Sequence, residues 1–267
     1  MHASTRCDRV SIAMQHDTAA PTAPEHLTPN GTALFLDFDG TLAPIVADPA
    51  KVEVPKETLV VLGRLYAASG GAVAVVSGRP IAQLDRLLAP LRLPLAGVHG
   101  RERRSAERAV TTAPASGPEL EAAVATLENF ARDHPGTLVE EKPGSVALHY
   151  RQRAELESEA LTLARDVAAA SPTLRLLEGK MVAELCVGSL TKGDAISAFM
   201  AEAPFLGRRP VFIGDDVTDE EAFPVVNMLG GESIKVGPGA TQAKGRFPDI
   251  GALEHWLARL ARGWLRD

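Results

Sequence analysis

Three short apolar runs, each ending abruptly in a polar residue, constrain the fold of this 267-residue chain more than any other feature. They are ALFL before Asp37, AVAVV before Ser77 and PVFIG before Asp215. Continuous apolar runs of this length, alternating along the chain with stretches of helical spacing, are typical of parallel strands buried on both faces. We therefore predict an α/β fold with a doubly wound, Rossmann-like parallel sheet.

The middle of the chain has a different pattern. Two helical stretches appear there, and each precedes a pair of strands that turn at Pro143-Gly144 and at Glu178-Gly179. The segment 145–151 alternates apolar and polar residues, which indicates a strand with one face packed on helices and one polar face. We therefore predict a smaller α+β cap domain inserted into the core. The predicted division is a flexible N-terminal tail at 1–30, a core at 31–102 plus 188–267, and a cap at 103–187.

Composition excludes several classes of protein. With 28 basic and 34 acidic residues the formal net charge is −6, so no overall basic field exists to hold nucleic acid or an anionic membrane. No apolar stretch is long enough for a membrane span or resembles a secretory signal. The two cysteines, Cys7 and Cys186, are too few for a disulfide framework, which favours a reducing cytoplasm.

Acidic residues follow two of the predicted strands. Because ligands bind beyond the carboxyl ends of parallel strands, we expect Asp37 and Asp39 to converge with Asp215 and Asp216. Such carboxylates repel one another unless a cation lies between them, and Mg²⁺ prefers this set of oxygen ligands. Acids after a strand also commonly cap helices, and we interpret 218–220 in that way. The metal is therefore assigned chiefly to Asp215.

Two further motifs indicate an anion site. Ser77 and Gly78 lie at a strand-to-helix turn, which offers a hydroxyl and free backbone N–H groups. Lys192 begins a helix, so its ammonium and the positive end of the helix dipole act together. Taken singly, each residue is explained as well by helix capping or by solvation. The combination and order of the motifs favour a phosphate site.

Four short motifs resemble those of the haloacid dehalogenase superfamily. They are DFDGT at Asp37–Thr41, SGR at Ser77–Arg79, TKG at Thr191–Gly193 and GDDVTDE at Gly214–Glu220. Further segments, among them GVHGRERR, ALHYR, GKMVAEL and KVGPGATQA, are similar in content and order to those of the trehalose-6-phosphate phosphatases. The resemblance covers roughly Ala33 to Ala243, with no departure at a motif position.

This resemblance implies a Mg²⁺-dependent phosphatase. Asp37 would be the nucleophile that forms an aspartyl-phosphate, and Asp39 the general acid and base. Asp216 would orient Lys192 or a metal-bound water. The implied metal ligands are Asp37, the main-chain carbonyl of Asp39, and Asp215. The implied phosphate-binding residues are Gly40, Thr41, Ser77, Gly78 and Lys192.

The resemblance also implies the substrate, trehalose 6-phosphate, hydrolysed to trehalose and phosphate as the last step of trehalose biosynthesis. A trehalose-phosphate synthase would then be the pathway partner. Polar groups on the cap strands are expected to bind the sugar hydroxyls, although exposed charges on half-solvated strands need no ligand. The expected sugar-binding residues are Lys142, His149, Arg151, Lys180 and Glu184, with Glu102 reaching the substrate from the hinge.

Several alternatives stay open. A related capped phosphatase could act on sucrose phosphate, a hexose phosphate or a nucleotide, and a mutase would keep the phosphoryl-enzyme from water. A non-catalytic sugar-phosphate-binding module is the alternative from another class of protein. The presence of both Asp37 and Asp39 disfavours that module, because it would have no use for a nucleophile and an acid.

Overall fold

Two β-sheets organise the part of the chain that the computed structural model describes, residues 24, 26–46, 48–113 and 117–266. Most of the predicted tail, and Cys7 with it, lies outside these residues. The strands are β1 (Thr32–Leu36), β2 (Val73–Val76), β3 (Leu95–Gly97), β4 (Glu102–Arg104), β5 (Val110–Thr112), β6 (Leu138–Lys142), β7 (Ser145–His149), β8 (Leu174–Gly179), β9 (Val182–Val187), β10 (Arg209–Gly214), β11 (Glu232–Val236) and β12 (Gly245–Phe247). The helices are α1 (Lys56–Ala68), α2 (Ile81–Leu87), α3 (Pro118–Asp133), α4 (Glu157–Ala170), α5 (Lys192–Met200), α6 (Val217–Glu220), α7 (Ala222–Met228) and α8 (Ile250–Trp264).

The larger sheet has eight strands in the order β12-β11-β10-β1-β2-β3-β4-β5. The pairs from β12 to β3 are parallel, and β4 and β5 continue the sheet antiparallel to their neighbours. The first strand in sequence, β1, therefore lies between β2 and β10. Because these three strands run in one direction, their carboxyl ends meet at the same edge of the sheet.

Helices cover both faces of this sheet, which explains why β1 is apolar at every position. Leu34 packs in a cluster with Leu62 of α1 and Trp256 of α8 on one face. Phe35 points to the other face, where its ring centroid lies 6.0 Å from that of Phe199 on α5. The predicted doubly wound α/β core is confirmed. Among the described residues, no helix combines the length and the apolar character that crossing a membrane requires.

The sheet extends further along the chain than the sequence predicts. Glu102–Arg104 pairs antiparallel with Leu95–Gly97, so the boundary predicted after residue 102 falls inside the core sheet. The short segment RERR carries no apolar alternation, and tertiary contacts place it there. Arg104 donates to both carboxylate oxygens of Asp85, at 2.7 and 2.8 Å. We propose that the inserted cap begins after Thr112.

The cap is built on the smaller, antiparallel sheet, in the order β6-β7-β9-β8. Val146 and Leu148 of β7 are buried in one cluster with Leu127 of α3 and Ala160 of α4. The alternation predicted for 145–151 is therefore present. The other face of the sheet is polar and lies toward the carboxyl edge of the core.

One predicted turn lies elsewhere. β8 runs through Glu178 and Gly179, and the Gly179–Val182 pair closes a two-residue turn at Lys180 and Met181. Met181, the second residue of this turn, takes up a left-handed conformation, with φ of 63°. Lys180 therefore stands at the tip of the hairpin, where its side chain reaches the core.

Candidate active site

The two acidic segments of the core meet, as predicted, at the carboxyl edge of the sheet. Asp37 follows β1 directly, Asp215 follows β10, and the two strands are parallel neighbours. One carboxylate oxygen from each of Asp37, Asp215 and Asp219 lies within 4.8 Å of the others, and all three residues are buried. We call these three residues the core acid cluster.

Gly40 permits this close approach. Its φ is 83°, in the left-handed region that glycine adopts without strain. A Cβ atom at this position would lie 2.2 Å from Oδ2 of Asp215. Any larger residue would therefore displace the Asp215 carboxylate from its place beside Asp37.

Lys192 is the buried cation of the core acid cluster. Its Nζ donates to Oδ1 of Asp37 at 2.7 Å and to Oδ1 of Asp219 at 2.6 Å. The other oxygen of Asp219 accepts the backbone N–H groups of Asp215 and Asp216, each at 2.9 Å. Asp219, which the sequence placed only among helix caps, thus makes the contact with Lys192 that was expected of Asp216.

The three carboxylates of the core acid cluster contact two lysine side chains, Lys192 and Lys180. Burial raises the pKa of Asp37 well above its ordinary value, and the charges of Asp219 and Asp215 raise it further, against the opposing effect of Lys192. Burial also raises the pKa of Asp215 to about 6, although Lys180 opposes the shift. Oδ1 of Asp215 is buried and has no hydrogen-bond partner among the described residues. Clustered carboxylates with an unsatisfied oxygen fit a hard divalent cation.

Asp39 turns its carboxylate away from the cluster. Arg79 holds it with two hydrogen bonds, from Nε to Oδ2 at 2.6 Å and from a terminal nitrogen to Oδ1 at 2.7 Å. Arg79 is buried and also donates to the carbonyl of Pro49 at 3.1 Å. This arginine was not predicted to have a role, although its place in the SGR motif marks the loop that lies against Asp39.

The predicted anion-binding residues surround Asp37. Ser77 is buried at the end of β2, and its hydroxyl accepts the N–H of Arg79 at 3.1 Å. Thr41 is fully buried, and its hydroxyl has no partner among the described residues. Ser77, Gly78 and Lys192 line the same cleft as Asp37, whereas Gly40 and Thr41 are not among its lining residues.

A single cleft joins these residues to the polar face of the cap. Its empty volume is about 920 Å³, part of it open to solvent. On the core side, the lining residues include Asp37, Asp39, Ser77, Gly78, Arg79, His99, Lys192, Asp215 and Asp216. On the cap side it is lined by Glu140, Lys142, His149, Arg151, Lys180, Val182 and Glu184. Every cap residue predicted from the strands is therefore present in the cleft.

Glu102 is not among the residues that line the cleft. Its Oε2 accepts the backbone N–H of Ile81 at 2.7 Å, at the start of α2. The antiparallel pairing of Glu102 with Gly97 directs its side chain to this helix end. Glu102 therefore caps the start of α2 and does not line the cleft.

Glu184 forms the centre of a second polar cluster, on the cap side. Its Oε2 lies 3.0 Å from Nζ of Lys142 and 3.3 Å from Nε2 of His99, and its Oε1 accepts the hydroxyl of Ser145 at 2.6 Å. Burial alone would raise the pKa of Glu184, but Lys142, His99 and Ser145 hold it well below its ordinary value. We call these four residues the Glu184 cluster.

Three neighbours extend the contacts around the cleft. His149 lies 2.9 Å from Oε2 of Glu140, and although burial opposes it, this bond and the charge of Lys142 lower the pKa of Glu140. Arg151 donates to the carbonyl of Lys180 at 2.6 Å. The Lys180 ammonium contacts Oδ2 of Asp215 and thus connects the cap to the core acid cluster.

Comparisons with known proteins agree with this geometry. The trehalose-phosphatase family model matches residues 35–248. The trehalose-6-phosphate phosphatase of Escherichia coli K12 is 44% identical over 225 residues, which cover 84% of this chain and 85% of that protein.

Solved structures show the same fold. The C-terminal domain of Candida albicans trehalose-6-phosphate phosphatase matches with a TM-score of 0.79 at 21% identity, over 87% of this chain and 92% of that domain. A phosphatase of the haloalkanoate enzyme superfamily from Bacteroides thetaiotaomicron matches with a TM-score of 0.59 at 14% identity, over 92% and 99% of the two chains. Sequence match, core motifs and capped fold agree: the chain belongs to the trehalose-phosphatase family.

Proposed function

We propose that this protein hydrolyses trehalose 6-phosphate to trehalose and inorganic phosphate through an aspartyl-phosphate on Asp37. The observation that carries the proposal is the position of Asp37 in the cleft. A buried lysine contacts this aspartate, and the polar face of the cap lines the same cleft. Membership of the trehalose-phosphatase family supports the choice of substrate.

Asp37 acts as the nucleophile. Its carboxylate attacks phosphorus as the bond to the sugar oxygen breaks, and water then hydrolyses the acyl phosphate and regenerates the carboxylate. Lys192, 2.7 Å from Asp37, keeps the nucleophile oriented and offsets its charge as the anionic substrate approaches. Ser77, Lys192 and the backbone N–H group of Gly78 bind the phosphoryl oxygens. The N–H groups of Gly40 and Thr41, which were predicted to take part, donate instead to the carbonyls of Ala43 and Phe38, at 2.7 and 3.4 Å.

Asp39 acts as general acid and then as general base. A sugar alkoxide is a poor leaving group, so the departing oxygen must receive a proton as the bond breaks. The same carboxylate later takes a proton from the attacking water. Its side chain is 37% exposed, and the two bonds from Arg79 fix its direction.

Mg²⁺ is the cation we assign to the core acid cluster. The residues that would hold it are Asp37, the main-chain carbonyl of Asp39 and Asp215. When bound, the ion supplies positive charge that lowers the repulsion between the nucleophile and the phosphoryl oxygens. The unsatisfied oxygen of Asp215 supports this assignment. We assign Asp216, on the cleft wall, to holding a water at this site.

The cap recognises the sugar. The Glu184 carboxylate accepts hydroxyl groups and Lys142 donates to hydroxyl oxygens, while His149, Arg151 and Lys180 line the rest of the cap side. A trehalose-phosphate synthase would supply the substrate in the same compartment. The low cysteine content favours the cytoplasm as that compartment.

Phosphate release from a panel of sugar phosphates tests the proposal. With Mg²⁺, we expect kcat/KM for trehalose 6-phosphate to exceed that for sucrose 6-phosphate and glucose 6-phosphate by about tenfold or more. Chelation by EDTA should abolish turnover. Equal rates on glucose 6-phosphate and trehalose 6-phosphate would reject the substrate, and phosphate transferred to a sugar instead of released would indicate a mutase.

A further inference from the structure

Two consecutive residues at the end of β3 have an unusual backbone. Val98 and His99 have φ angles of 46° and 54°, in the left-handed region that residues other than glycine rarely enter. A β-branched residue such as Val98 is especially disfavoured there. Strain of this kind persists only where the surrounding structure enforces it, and it is concentrated at functional sites.

The strained backbone places His99 against the phosphate-binding turn. The backbone N–H of His99 donates to the carbonyl of Ser77 at 3.0 Å. Its ring lies so close to Gly78 that a Cβ atom there would be 2.7 Å from Nε2. His99 is therefore built into the turn that is expected to bind phosphate.

The same ring contacts the cap. Nε2 of His99 lies 3.3 Å from Oε2 of Glu184, and both side chains are buried. The other two hydrogen-bond donors to Glu184, Lys142 and Ser145, belong to β6 and β7 and would move with the cap. Among the described residues, His99 is the core residue that anchors Glu184.

We propose that His99 is a positioning residue that fixes Glu184 relative to the phosphate-binding turn and so makes turnover selective for phosphate esters of a sugar. This inference rests on the proposed function, because it takes Glu184 as an acceptor of sugar hydroxyls. The distance between the phosphoryl group and a particular hydroxyl differs from one sugar phosphate to another. A carboxylate held at a set distance from the phosphate site therefore selects among them.

The contacts of Glu184 leave room for such a hydroxyl. A carboxylate has about four acceptor positions, and His99, Lys142 and Ser145 occupy three. With Nε2 as the donor to Glu184, Nδ1 of His99 remains buried without a partner among the described residues. An unsatisfied buried nitrogen is unfavourable, which indicates that the ring is placed here for the contact made by Nε2.

Two substitutions separate the hydrogen bond from the fold. In His99→Asn the side chain still suits a left-handed backbone but is too short to reach Glu184. In His99→Gln the amide nitrogen can take the place of Nε2. We expect His99→Asn to raise KM for trehalose 6-phosphate by about tenfold to hundredfold, with a smaller change in kcat, and His99→Gln to restore most of the loss.

A substrate without sugar hydroxyls provides the second readout. For His99→Asn, the ratio of kcat/KM for trehalose 6-phosphate to kcat/KM for p-nitrophenyl phosphate should fall by about the same factor as KM for trehalose 6-phosphate rises. In the double variant with Glu184→Gln, the two effects should fall short of additive, because they remove one contact. His255→Asn is the matched control. His255 lies on α8 and its side chain contacts the carbonyl of Gly251. We expect the His255→Asn variant to keep the wild-type preference between the two substrates.

Two results would overturn the inference. One is a His99→Asn variant that keeps the wild-type KM and preference. The other is an equal loss on both substrates in the Asn and Gln variants, with a lower unfolding temperature, which would show a role in folding alone. If the wild-type protein itself lacked the preference for trehalose 6-phosphate, the proposed function would fail and this inference with it.

Discussion

The cleft contains two buried groups of acids that differ in how well their charge is compensated. In the core acid cluster, the pKa values of Asp37 and Asp215 are raised, so burial there disfavours the charged carboxylate. On the cap, the pKa of Glu184 is lowered although its burial opposes this. Burial therefore acts in the same direction on both groups, and the neighbouring charges and hydrogen bonds decide the sign of the net pKa shift.

The difference lies in the number of donors around each acid. Lys192 is shared between Asp37 and Asp219, and Lys180 contacts Asp215, whereas Glu184 accepts from a lysine, a histidine and a serine. The core thus retains uncompensated negative charge, which suits a site that must attract a cation. On the cap, the charge of Glu184 is already compensated by its three donors, which suits the recognition of neutral hydroxyl groups.

The largest effect should follow from Asp37→Asn, which removes the nucleophile from the core acid cluster. We expect kcat to fall at least about 10³-fold, as when other enzymes lose a nucleophile. The free energy of unfolding without metal should not fall, because an unfavourable buried charge is removed. Phosphate release and urea unfolding measure both, with Asp166→Asn on the exposed side of α4 as the control. Full turnover by Asp37→Asn would contradict the aspartyl-phosphate.

A smaller effect on turnover, with the opposite effect on stability, should follow from Glu184→Gln. This change leaves Lys142 buried with the Glu140 carboxylate at 3.9 Å as its remaining ionic partner. Removing one member of a buried pair costs about 3 kcal/mol of unfolding free energy, and KM for trehalose 6-phosphate should rise about tenfold or more. The exposed Glu128→Gln on α3 is the control. An unchanged free energy of unfolding would contradict the inference that Lys142 and Glu184 compensate each other's buried charge.

The next largest effect should be the stabilisation by Mg²⁺, which we expect to depend on the core acid cluster and not on Glu184. With free Mg²⁺ at about 100 times its Kd, the unfolding free energy should rise by about 2.7 kcal/mol. Asp215→Asn should lose most of this gain, whereas Glu184→Gln should keep it. Thermal unfolding across a Mg²⁺ titration gives the measurement. An equal gain in both variants would place the ion outside the core acid cluster.

The smallest effect concerns pH. Because the folded-state pKa of Glu184 is lowered from its ordinary 4.5, its charge stabilises the fold above about pH 4.5, and this contribution is lost as the pH falls through the lowered pKa. Glu184→Gln should flatten the acid side of the stability profile, because glutamine cannot take up a proton in this range. Urea unfolding at steps from pH 6 to pH 3 tests this. An acid side as steep as in the wild-type protein would assign the pH dependence to other acids.

The core could be predicted from sequence because its signals are local. Each strand is a continuous apolar run, and the polar residue that ends it marks the edge where Asp37, Ser77 and Asp215 meet. The β4 strand was missed because a short charged segment carries no strand pattern, and its place depends on Arg104 and Asp85. The β5 strand has only three residues, and its place depends on pairing with β4.

The missed site residues depend on contacts between distant segments. Asp219 has the local appearance of a helix cap, and only the fold brings Lys192 against it. Arg79 and Asp39 are likewise joined across the sheet edge, and Glu102 was drawn away from the cleft by strand pairing. The turn of the β8–β9 hairpin was predicted two residues too early because Gly179 has the appearance of a turn residue, while Met181 takes the left-handed conformation.

The insertion of the cap into the core has a consequence for biosynthesis. Asp37 and Lys192 are separated by 155 residues, and β10, which pairs with β1, follows later still. At ribosomal rates of roughly 5–20 residues per second, Lys192 follows Asp37 by roughly ten to thirty seconds. The pairs of the cap sheet all lie within residues 138–187, so the cap can close on the nascent chain while β1 still awaits its partner. During that interval the emerging polypeptide carries an apolar strand with one unpaired edge, and the catalytic centre is assembled only after the cap has been translated.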